Sequence, residues 1–72
     1  MFDTQPNAFE EKIDQMITQL GDKSAAKRRE AAEFLGEVAA ADAVPDLVEV
    51  YRKDKSAQVR AAAAYSLGMY KS

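Results

Sequence analysis

Apolar residues along the chain fall repeatedly on helical spacing. Phe9, Ile13, Met16, Ile17 and Leu20 make one stripe, with Glu10, Asp14, Gln15 and Thr18 between them. The steps of three and four residues describe one face of an α-helix from about 8 to 20. A second stripe, Ala31, Ala32, Leu35 and Val38, predicts a helix from about 25 to 38. A third, Val44, Leu47, Val48 and Tyr51, predicts a helix ending at Arg52 and Lys53. The fourth helix runs to about Tyr70, with Val59, Ala63, Leu67 and Tyr70 inward. No segment alternates with a period of two, so the chain reads as all-α.

Polar residues mark the helix ends. Asn7 is the expected N-cap of the first helix, with Glu10 completing a capping-box-like pattern. Ser24 and Ser56 are placed to cap the second and fourth helices, and Asp42 the third. Gly21 stands where a left-handed residue would close the first helix. Pro45 falls in the first turn of the third helix, where its missing N–H costs nothing.

The pattern is used twice. Residues 22–36 and 54–68 share nine of fifteen positions at a shift of 32, including Asp22/Asp54, Ser24/Ser56, Arg28/Arg60, Leu35/Leu67 and Gly36/Gly68. Upstream, at a shift of 31, Ile13, Met16, Ile17 and Leu20 fall on Val44, Leu47, Val48 and Tyr51. Self-similarity at this period indicates stacked helical hairpins. Each unit is an apolar-faced helix, a short turn and an Ala-rich helix. Repeat one covers about 8–38 and repeat two about 42–70, within one domain of 7–72 that follows a loose tail of 1–6. The return of a glycine at Gly36 and Gly68 points to close packing there, because mid-helix Gly costs up to ~1 kcal/mol compared with Ala.

The run from Ala43 to Glu49, followed by Ser56 to Ala64 and Leu67-Gly68, resembles the HEAT-like repeat, and its short period looks like the phycobilisome-lyase type. The first copy departs from the pattern, with Lys27 at the position of Val59 and no proline in the first helix. The resemblance implies two HEAT-like helical hairpins, four helices in all, stacked as a short α-solenoid and used as a binding scaffold. It also implies a bond between neighbouring repeats from an Asp at the turn to an Arg in the second helix. The matching positions are Asp22, Asp54, Arg28 and Arg60.

Composition narrows the function. The 72 residues include no Cys and no His, and the formal net charge is −2. Thiolate and imidazole chemistry is therefore absent, and iron-binding hydroxylases built on such repeats, which use His-Glu pairs, do not fit. No Gly-rich phosphate loop and no nucleophile beside a base can be found. Glu10 and Asp14 share a helix face, but acidic side chains in a first turn answer the helix dipole without any catalytic role. The expectation is a non-enzymatic chain with no cofactor. No apolar run reaches the roughly 20 residues of a membrane span, and no signal peptide opens the sequence, so a cytoplasmic location is expected.

Charge is unevenly placed. Lys23, Lys27, Arg28, Arg29, Arg52, Lys53, Lys55 and Arg60 gather at the two intra-repeat turns and the helix starts that follow them. Stacking would set these along one basic edge, a candidate site for phosphate or an acidic partner, although the low net charge argues against nucleic acid. The last helix carries a different signal. Between Ala57 and Tyr70 its only clearly polar side chains, tyrosine hydroxyls aside, are Gln58, Arg60 and Ser66. A helix apolar nearly all round is normally buried on more than one side. Ala61, Ala62, Tyr65 and Met69 are then expected to face a second surface: a protein partner, another copy in a homodimer, or further repeats of a longer array. The reading is a protein-interaction scaffold. Its alternatives are a subunit of an enzyme assembly such as a bilin lyase complex, and phosphate binding at the basic edge.

Overall fold

In the computed structural model, which describes residues 7–69, the chain forms four helices: α1 (Ala8–Gln19), α2 (Ala25–Glu37), α3 (Val44–Lys53) and α4 (Ala57–Met69). A 3-10 turn, Ala41–Ala43, leads into α3. The architecture is all-α, two helical hairpins stacked in sequence order, and no strand occurs among the described residues. The expected tail and Tyr70 lie outside the described residues.

Local chemistry starts most of these helices. The Asn7 Oδ1 accepts the Glu10 N–H at 2.8 Å, and the Asn7 side-chain amide donates to the Glu10 carboxylate at 3.1 Å. The two intra-repeat turns are built alike. The Ser24 N–H donates to Asp22 Oδ1 at 2.8 Å and the Ser56 N–H to Asp54 Oδ1 at 2.9 Å. Ser24 Oγ then accepts the Lys27 N–H, and Ser56 Oγ the Val59 N–H. Each Asp thus shapes its turn and each Ser satisfies one otherwise unpaired donor of the helix behind it.

Two ends differ from the sequence reading. Asp42 does not cap α3; the preceding 3-10 turn brings Ala43 to the cap position, and no side chain caps it. Gly21 has no positive φ, because α1 ends through short-range bonds such as Gly21 N–H to the Thr18 carbonyl. The left-handed residue is Ala39, at φ 51°, after α2. There the Ala40 N–H reaches the Leu35 carbonyl and the Ala39 N–H the Gly36 carbonyl, both at 3.1 Å. This is a Schellman closure made with alanine in place of the usual glycine.

Packing runs within each hairpin, α1 on α2 and α3 on α4, and between hairpins through α2 on α4. Contact between α1 and α3 is at most slight; the repeats are joined mainly by their second helices. The core contains Met16, Leu20, Ala31, Ala32, Leu35, Leu47 and Ala63. Small alanines among them let the helices approach closely. Phe9 is 53% exposed and Tyr51 49%, so neither joins the core that its spacing suggested. Leu67 is half-buried, whereas Leu35, its counterpart in repeat one, is fully enclosed.

Candidate functional site

The contact between the repeats is polar as well as apolar. Arg28 on α2 grips Asp54 with two hydrogen bonds, Nε to Oδ2 at 2.8 Å and Nη2 to Oδ1 at 3.1 Å. Its Nη1 donates back to the carbonyls of Asp22 at 2.8 Å and Lys23 at 3.0 Å. One side chain therefore ties the turn of its own repeat to the turn of the next. The Arg28 hydrogen bonds hold the Asp54 carboxyl below the usual carboxylate range; partial burial opposes this, and the Ser56 N–H and the charges of Arg28 and Arg60 reinforce it. The Arg28 guanidinium is raised by the same pairing. Further along α2, Ser66 of α4 is fully buried and its Oγ donates to the Ala32 carbonyl at 2.6 Å.

Past this contact lies the outer side of α4. Ala61, Ala64, Gly68, Tyr65 and Met69 are exposed there, Tyr65 at 69% and Met69 at 37%. Ala64, Tyr65, Gly68 and Met69 line one shallow hollow. Of the four residues expected to face a partner, Ala62 is placed differently: it is 8% exposed and turned into the core. The cause is the rotation of α4, which the Ser66 and Asp54 contacts set.

Between α2 and α4 runs a wider groove of ≈ 780 Å³, lined on the α2 side by Glu30, Glu33 and Glu37 with Phe34, and on the α4 side by Gln58, Ala62 and Tyr65. Arg29 also borders it, and pairs with Glu33 at 4.0 Å. Lys12 of α1 lies 5.6 Å from the Phe34 ring centre. Tyr65 thus belongs to both surfaces of α4.

The eight basic residues are interleaved with acidic ones. Lys23, Arg28, Lys53 and Lys55 share a hollow with Asp22 and Asp54. Arg52 and Arg60 line a second with Tyr51, and Arg29 faces the α2–α4 groove. Lys27 lines none of these; its carbonyl accepts the Gln19 side-chain amide at 2.8 Å. Lys53 pairs with Glu49 at 3.2 Å. The edge is a mixture of signs, with aspartates inside it.

Sequence reasoning missed Ser66. The available signal was a hydroxyl in the middle of an otherwise apolar helix, at the repeat position where the first copy carries Phe34. Among the described residues no three His, Cys, Asp or Glu side chains gather to hold a metal ion, and no helix is long and apolar enough to cross a membrane.

Compared with protein families, the chain matches HEAT repeats over residues 9–72. Neither the curated proteins nor the solved structures contain a significant match to the chain.

Proposed function

The chain belongs to the HEAT repeat family, and from that premise we propose that it is a non-enzymatic protein-interaction scaffold that docks a protein on the outer side of α4. Scaffolding of this kind is the common use of the repeat. The observation that carries the reading here is Tyr65. An aromatic ring 69% exposed, beside exposed Met69 and Gly68, sits on a helix with no charged side chain after Arg60. Apolar patches of that sort mark interaction sites more often than they are left to water.

Placing a photoreactive side chain at Tyr65, and as a control at Gln15 on the polar face of α1, tests the reading in cells. Covalent adducts from position 65 and none from position 15 are expected. Equal labelling at both positions overturns it. Adducts with the mass of two copies would make the partner a second chain.

The short period of the repeat, 31 to 32 residues, supports the phycobilisome-lyase type and, through it, a subunit of an enzyme assembly. A chromophore or a catalytic protein among the adducts would favour that version. Phosphate binding is less well supported, because Asp22 and Asp54 stand among the basic residues. A binding titration at two salt concentrations checks it, since phosphate contacts weaken steeply with salt.

A further inference from the structure

We propose that the groove between α2 and α4 is a second docking surface, and that it takes an extended protein segment with arginines at alternate positions. This goes beyond docking on the outer side of α4 and does not depend on it. The two walls of the groove differ in charge. The α2 wall carries Glu30, Glu33 and Glu37, and among the described residues the one cation lining the groove is Arg29. The α4 wall presents Gln58, Ala61, Ala62 and Tyr65, all uncharged.

The three carboxylates are poorly compensated. The Glu30 carboxylate accepts a hydrogen bond from the Gln19 side-chain amide at 3.1 Å, a neutral partner that leaves its charge in place. Glu33 meets Arg29 only at 4.0 Å, with both side chains about half exposed, 54% and 49%. Glu37 has no ion pair among the described residues. It also closes the last turn of α2, where the helix dipole disfavours a carboxylate and no basic side chain answers it. Two aromatic rings stand beside these charges, Phe34 from α2 and Tyr65 from α4. The Lys12 ammonium lies 5.6 Å from the Phe34 ring centre, so one cation of the chain is already held at that ring.

This arrangement selects the occupant. Nucleic acid, a phosphorylated segment or an anionic membrane would bring negative charge to the carboxylates and is repelled. Arginine suits both walls: its fork bonds carboxylates, and its plane stacks on aromatic rings. Glu33 and Glu37 are one helical turn apart, about 6 Å along the axis. Alternate side chains of an extended segment are spaced by about 6.6 Å, so every second residue meets the acidic wall. Gln58 offers the peptide groups of such a segment both a donor and an acceptor.

Fluorescence anisotropy of the labelled peptide Gly-Arg-Ala-Arg-Ala-Arg-Gly, titrated with the full chain, tests the proposal. Saturable binding is expected, and about tenfold weaker binding when Glu33→Gln and Glu37→Gln are combined. Both carboxylates are exposed, so their replacement leaves the fold intact. The peptide with citrulline in place of each arginine should lose affinity to the same extent. Glu11→Gln with Asp14→Asn removes as much charge from α1 and should leave affinity nearly unchanged. No saturable binding, an equal loss from the α1 pair, or undiminished binding of the citrulline peptide overturns the proposal. Spermine that displaces the peptide at matched charge overturns the protein occupant in favour of a free polyamine. Sedimentation showing a dimer that the Glu33→Gln and Glu37→Gln pair disrupts would assign the groove to a second copy, and overturns it too. The test is separable from cross-linking at Tyr65. Adducts there without peptide binding overturn the groove and leave docking on the outer side of α4 standing; peptide binding without adducts does the reverse.

Discussion

Gly36 and Ser66 meet where α2 and α4 come closest: a Cβ built on Gly36 would overlap the Ser66 side chain and lie 2.7 Å from the Ser66 Cα. The neighbour there is backbone, so the helix itself would have to move. Gly36→Ala should therefore destabilise the chain by about 1–3 kcal/mol, although Ala is the better helix former. Among the described residues nothing lies within 4 Å of a Cβ built on Gly68, and Gly68→Ala should stabilise by up to ~1 kcal/mol. Chemical denaturation of the two variants checks the opposite signs, which identical repeat positions would not otherwise suggest.

Leu35 and Leu67 occupy matching positions in the two repeats, but burial separates them. Leu35 is fully enclosed, and Leu35→Ala should cost about 2–5 kcal/mol, a large share of the stability of so small a domain. Leu67 is half-buried, so Leu67→Ala should cost distinctly less. Equal losses in thermal unfolding would contradict this asymmetry.

Asp54 makes stability depend on acid. Its carboxyl is held below the ordinary range by Arg28, so over the interval between its folded and unfolded values the unfolded chain binds more protons. Its contribution is complete above the unfolded value of about 3.9 and is lost as the pH falls through the folded one. Asp54→Asn should lower the melting temperature at neutral pH and reduce the further loss on acidification. Melting curves from about pH 7 down to about pH 2, wild type against variant, give the comparison.

Ala39 pays for its left-handed backbone without the freedom that glycine has there. Ala39→Gly should stabilise by about 1 kcal/mol, provided the Schellman bonds of Ala39 and Ala40 persist. Equilibrium unfolding in urea reads the gain, and a loss of stability would mean that the added freedom of the unfolded glycine outweighs the strain relieved.

Most of the helices and their caps were legible in the sequence because they depend on near neighbours. Asn7 with Glu10, and the Asp-Lys-Ser-Ala turns at 22–25 and 54–57, act over two to three residues, and the structure shows them bonded as their spacing implies. The repeat itself was legible because its two copies kept Asp, Ser, Arg, Leu and Gly in register. The Arg28–Asp54 bond was indicated by the family resemblance; residue spacing alone does not pair positions 26 apart.

Only the tertiary structure decided which way α4 faces. Its sequence from Ala61 to Ala64 is four alanines, so hydrophobic periodicity offers no contrast between inside and outside there. Long-range contacts settle the rotation instead: Asp54 held by Arg28, and Ser66 seated on Gly36 and bonded to Ala32. They turn Ala62 and Ser66 inward and leave Ala61, Tyr65 and Met69 outside. The same contacts make two glycines at one repeat position physically different, because Gly36 has a helix against it and Gly68 has none among the described residues.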